Sequence, residues 1–112
     1  MVQTNEARAE VAVPGTIEET DIEDATRVHR IPPYKVIFLN DDVTTMDFVI
    51  HVLITLFKKD IETAVRLMLE VHHLGSAVVD ILPLEEAELR QHQVHEAARG
   101  ARFPLRCVIE PA

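Results

Sequence analysis

Three acceptor side chains in a row, Asn40-Asp41-Asp42, are the residues of this chain with the most chemistry to offer. They follow an apolar run, Val36-Ile37-Phe38-Leu39, and precede a threonine pair, Thr44-Thr45. One amide oxygen and two carboxylates at such a junction concentrate acceptors and negative charge beside apolar neighbours. A small cationic group such as an amine suits that arrangement, because it gains charge-assisted hydrogen bonds there. The plain alternative is an Asx turn whose acids are simply solvated.

His72 is the second candidate. It falls on an apolar stripe beside Met68 and Val71, where a lone imidazole is usually a satisfied core residue. With Asn-Asp-Asp, Met46 and Met68 it instead suggests an apolar pocket with a polar mouth, although methionines also serve as filler. The other possibilities are weaker. His92-x-x-His95 puts two imidazoles one turn apart, but a zinc site needs further ligands of matching spacing. Cys107 lies between Arg106 and Val108 in an apolar segment and reads as structural. The three glycines are scattered and form no phosphate loop.

The elements that must position these groups follow from periodicity. Tyr34–Leu39 reads as a strand that stops at the Asn-Asp-Asp turn. A helix from about Thr45 to Phe57 carries Val49, Val52, Leu53, Leu56 and Phe57 on one face. Thr44, with Asp47 three residues on, is expected to form its capping box, and Lys58-Lys59 suit its C-terminal dipole. Asp60 can cap a second helix, Ile61 to about His73, with the stripe Ile61, Ala64, Val65, Met68, Val71 and His72, stopped by Gly75. Ser76–Leu82 reads as strand two. Pro83 opens a third helix to about Arg99, ended by Gly100, whose stripe of Ala87, Val94 and Ala98 is interrupted by Gln91. Leu105–Glu110 completes the set as strand three. The order β-α-α-β-α-β implies an α+β fold in two layers, three helices on a small three-stranded sheet, antiparallel or mixed.

A chain of 112 residues with 19 acids against 11 bases, net −8, holds one core. It lacks the basic patch that a sequence-blind nucleic-acid or anionic-membrane binder needs. One cysteine excludes a disulfide framework. No apolar stretch approaches the roughly 18 residues of a membrane span, and no signal-peptide core stands at the N-terminus. A cytoplasmic protein without a cofactor is expected. Residues 1–30 hold seven acids and three arginines, with Pro14-Gly15 in the middle and no sustained apolar period. They are expected to be a disordered acidic extension, and Ile31-Pro32-Pro33 to open a core domain over 31–112.

Four blocks in order carry a resemblance to a known family. They are Pro32-Pro33-Tyr34-Lys35-Val36-Ile37-Phe38-Leu39-Asn40-Asp41-Asp42, Thr44-x-Met46-x-Phe48-Val49, Met68-Leu69-Glu70-Val71-His72-x-x-Gly75 and Pro104-Leu105-Arg106-Cys107. Over residues 32–112 the chain resembles the bacterial ClpS adaptors. The resemblance implies a binding module, not an enzyme, that hands N-degron proteins bearing Leu, Phe, Tyr or Trp at the N-terminus to a Clp AAA+ unfoldase and its peptidase. It implies that Asn40, Asp42 and His72 hold the substrate α-ammonium, with Asp41 nearby. Leu39, Thr44, Met46, Val49, Met68, Val71 and Leu105 match the side-chain pocket, Met46 being its gate against β-branched residues. Glu85 and Arg90 match contacts with the N-terminal domain of a ClpA- or ClpC-type unfoldase, and the acidic extension resembles the delivery segment. Val43, Thr45, Asp47 and Phe103 depart from the family's commoner aromatic, Pro, Glu and His. The rival readings are an interaction domain of the ribosomal-stalk type and a metal-dependent enzyme built on Asp41, Asp42 and His72.

Overall fold

Alternation along the first strand decides the layers. In β1 (Tyr34–Leu39) Val36 and Phe38 are fully buried while Lys35, Ile37 and Leu39 are only partly so, because successive strand side chains point to opposite faces. The computed structural model of the chain describes residues 32–112, so the expected acidic extension over 1–30 lies outside the described residues. β1 is the centre of a three-stranded sheet of order β2-β1-β3, with β2 (Ser76–Leu82) and β3 (Arg106–Pro111) both antiparallel to it. Phe38 lies opposite Ala77 and Cys107, all three buried. β2 carries one extra residue, Val79, between the partners of Val36 and Ile37. This bulge leaves Val79 buried and lets Asp80 meet Lys59 at 3.5 Å.

The helices cover the Val36–Phe38 face. α1 (Met46–Thr55) buries Val49, Val52 and Leu53, and just beyond its end Phe57 meets Phe38 edge to face at 5.6 Å between ring centroids. Such an aromatic pair adds about 1 kcal/mol to the area that it buries. α1 starts one residue later than the expected capping box. Thr45, not Thr44, is the N-cap, and its hydroxyl accepts the Phe48 N–H at 3.2 Å. At the other end Lys58 turns left-handed (φ 58°), and the Lys59 N–H donates to the Leu53 carbonyl at 3.1 Å.

α2 (Ile61–Leu74) starts after Asp60 and ends at Gly75, whose φ of 93° is the left-handed stop expected there. Its buried stripe is Ala64, Leu67, Met68 and Val71. Ile61, expected on that stripe, is 56% exposed. It is the first residue of the helix, directly after the N-cap Asp60.

α3 (Leu84–Ala101) outruns its expected end. Gly100 stays inside the helix, and the left-handed residue is Arg102, at φ 65°. The stop is set downstream. The Phe103 N–H donates to the Ala98 carbonyl at 2.8 Å, its ring packs on Phe48 at 5.1 Å, and Pro104 bars further helix. Ala87, Val94 and Ala98 are buried as expected. Gln91 sits among them because its Nε2 donates to the Cys107 carbonyl at 2.8 Å. One turn on, His95 Nε2 accepts the Cys107 N–H at 3.0 Å. Two side chains of α3 thus satisfy the outward backbone groups of an edge strand, which strands at sheet margins otherwise leave open. No described helix is long and apolar enough to cross a membrane.

Candidate functional site

The loop leaving β1 and the end of α2 are tied together before any ligand is considered. The Asn40 N–H donates to the Gly75 carbonyl at 2.9 Å, and its Nδ2 lies 3.5 Å from the His72 carbonyl. Once the amide nitrogen takes that direction, Asn40 Oδ1 is left as an acceptor without a partner among the described residues. Gly75 also donates its own N–H to the Val71 carbonyl at 2.9 Å, closing α2. One glycine therefore fixes where His72 stands relative to Asn40.

Between these segments lies a hollow of about 400 Å³, within the range of small-ligand sites. Buried Val49, Met68 and Val71 make its floor. Asn40, Asp41, Asp42 and His72 line its polar side. Thr44 is half-buried there, and Met46 stands on the rim with 43% of its surface exposed. Val43, 58% exposed, and Thr45 join the lining without having been singled out from the sequence.

The three acceptors do different things. Asp41 Oδ1 accepts the N–H of Val43 at 2.8 Å and of Thr44 at 2.7 Å, and its Oδ2 accepts the Thr44 hydroxyl at 2.7 Å. Burial alone would raise the pKa of this carboxyl, but hydrogen bonds from the Thr44 backbone, the Thr44 hydroxyl and the Val43 backbone outweigh it and hold the pKa below its ordinary value. Asp42 is exposed and, among the described residues, has no hydrogen-bond or ion-pair partner. The Asx turn and the solvated acid are both present, on neighbouring residues. The His72 ring is exposed and stacks edge to face on His73 at 5.2 Å.

Two residues expected in the pocket are elsewhere. Leu39 alternates with buried Phe38 and is not among the residues lining the hollow. Leu105 is buried at the head of β3 and lines a separate hollow with His95, Phe103 and Arg106. Glu85 and Arg90 both lie on α3, five residues apart. Glu85 is exposed in the first turn, whereas Arg90 is held by Glu86 at 3.6 Å and Gln93 at 2.8 Å. Asp41 is spent on its turn, His92 faces Glu96 at 3.9 Å, and among the described residues no group of three or more His, Cys, Asp or Glu is disposed to hold an ion. Burial pushes the Cys107 thiol from 9.0 up to about 12, the state of an inert core residue.

Known proteins resemble this chain in sequence and in shape. The family model for the ATP-dependent Clp protease adaptor protein ClpS matches residues 29–108. The ClpS adapter protein of Campylobacter jejuni strain RM1221 is 45% identical over 92 residues, which is 82% of this chain and 96% of that protein. ClpS 2 of Bradyrhizobium diazoefficiens is 47% identical over 77 residues, 69% of this chain and 70% of the relative. Among solved structures, Agrobacterium tumefaciens ClpS2 bound to L-phenylalaninamide is 37% identical, with a TM-score of 0.72 over 74% of this chain and all of that one.

Proposed function

The chain belongs to the ClpS family of Clp protease adaptors, and on that footing we propose that its hollow grips the N-terminal residue of a protein to be degraded. As a member of that family it is an adaptor, acting with Clp protease components and their substrates. Our reading of the grip divides the ligand in two. The α-ammonium lies against Asp42, Asn40 Oδ1 and His72, and the first side chain enters over Val49, Met68 and Val71. The observation that carries this is the exposed Asp42 carboxylate, which has no partner among the described residues, at the mouth of an apolar-floored hollow. An ammonium supplies three donors and a full charge, so it gains most where ionised and neutral acceptors converge. Acceptors alone would take any amine, so the floor must choose the side chain. An unbranched or aromatic residue (Leu, Phe, Tyr, Trp) fits beneath Met46, while a β-branched one meets it.

For the partner, we propose the N-terminal domain of a ClpA- or ClpC-type unfoldase, docking on the first turns of α3 around Glu85 and Arg90. These two residues are roughly 140° apart around the axis, so they touch different parts of the partner. The acidic extension serves delivery and not grip.

Fluorescence anisotropy with peptides beginning in Phe, free or N-acetylated, tests the grip. Free peptides should bind and acetylated ones should not, since acetylation removes the cation. Equal affinities would refute the reading.

A further inference from the structure

Asp41 and Asp42 are adjacent and chemically alike, yet the loop uses them in opposite ways. Three of the roughly four lone-pair sites of a carboxylate are filled on Asp41, by the Val43 N–H, the Thr44 N–H and the Thr44 hydroxyl, all within 2.8 Å. None is filled on Asp42 by the described residues. The residues that Asp41 holds lead directly into α1. Thr44 precedes the N-cap Thr45, which in turn takes the Phe48 N–H at 3.2 Å. Two successive side-chain devices therefore set the path of the chain from the acceptor cluster to Met46 on the rim.

We propose that Asp41 is a positioning residue, not a ligand of the ammonium: it pins Val43 and Thr44 so that the Asp42 carboxylate and Met46 are already in place when the peptide arrives. The inference rests on the reading of the hollow as the amine site and sharpens it. A loop ordered beforehand spares the ligand the cost of freezing it. A loop without Asp41 loses three hydrogen bonds at once and leaves Asp42 on a mobile tether. The chemistry of the conservative variant separates the two roles. Asparagine at 41 keeps Oδ1 for the two N–H groups, and its amide can donate to the Thr44 oxygen in place of the bond it received. It keeps the turn and loses the charge.

The test titrates a Phe-initiated peptide, free and N-acetylated, against wild type, Asp41→Asn, Asp41→Ala and Asp42→Asn. Exchange of the Val43 and Thr44 amides with water is followed by NMR in each protein. Asp41→Asn should bind within about threefold of wild type and keep both amides protected. Asp41→Ala should bind about tenfold or more weakly and lose the protection, and Asp42→Asn should lose as much affinity with protection intact. Asp41→Asn as weak as Asp42→Asn would show that the charge at 41 faces the ligand and would overturn the proposal. So would Asp41→Ala binding like wild type. If wild type itself fails to prefer the free peptide, the amine reading falls and this one with it.

Discussion

Removing only the charge of Asp42 asks the most of the proposed site. Asp42→Asn keeps the volume and one acceptor, and Asp42 makes no bond within the described chain, so the fold should not notice the change. A hydrogen bond to a charged group contributes about 1.5–3 kcal/mol, which is roughly 10- to 150-fold in Kd. Coulomb's law gives a consistent figure: two unit charges about 3 Å apart attract by about 1.4 kcal/mol in bulk water and several times more where the effective dielectric falls. The mouth of the hollow is open, so the lower half of the range is expected. The assay is a cycle in which the protein carries Asp or Asn at 42 and the peptide carries an amine or a hydroxyl at its N-terminus, with Kd from anisotropy competition. If amine and carboxylate touch, the two changes together should cost less than their sum by about 1 kcal/mol or more. Raising the salt should weaken wild type more than Asp42→Asn. Additive costs within about 0.3 kcal/mol would mean that the cation lies elsewhere, and the division of the ligand proposed above would fail.

Met46→Ala should admit peptides beginning with Ile or Val and leave Leu binding nearly unchanged, and continued exclusion of Ile and Val in the same anisotropy assay would make Met46 filler. Deleting residues 1–28 should leave peptide affinity intact while slowing degradation of an N-degron substrate by the unfoldase and peptidase; Glu85→Lys with Arg90→Glu should instead weaken unfoldase binding with the peptide site whole. Gly75→Ala meets no atom within 4 Å of its new Cβ, so its cost is backbone strain alone, about 1–2 kcal/mol, read as a fall in Tm of about 4–8 °C per kcal/mol. Cys107, the chain's only cysteine, should resist iodoacetamide at pH 8 in the folded protein and react in urea. Because its pKa is 9.0 ordinarily and about 12 in the fold, the folded chain keeps a proton that the unfolded chain releases between those values, so stability is full below pH 9 and declines as pH rises toward 12.

What could be read from the sequence was whatever depends on a short window. β1 and β2 have the expected ends because Asn40 and Pro83 punctuate them locally, and the Gly75 stop needs only one residue free to turn left-handed. The failures have causes that no single punctuating residue shows. Thr44 and Thr45 are equal candidates for a cap until Asp41 takes the Thr44 hydroxyl, leaving Thr45 to the helix. Gly100 looks like a terminus, but the third helix stops where Phe103 can reach Phe48, a contact across 55 residues of chain. Gln91 looked like a flaw in an apolar stripe, when its partner is a carbonyl of the last strand. At the site, Asn40, Asp42, Val49, Met68 and His72 line one hollow. Leu39 and Leu105 do not, since strand alternation and the second hollow claim them. Val43 carried no signal beyond its departure from the family's usual aromatic.

Every residue lining the main hollow lies between Asn40 and His72, and the tie that closes it reaches only as far as Gly75. The stretch that lines the hollow is thus complete in sequence before β2, α3 or β3 begins. On a ribosome it emerges ahead of the segment carrying Glu85 and Arg90, which is separate sequence. On the proposed division of roles, mutations in that later segment would retune the choice of motor and drift in the earlier one the choice of cargo, with no side chain obliged to serve both. A lineage built on that division could exchange its unfoldase without relearning which N-termini to hold.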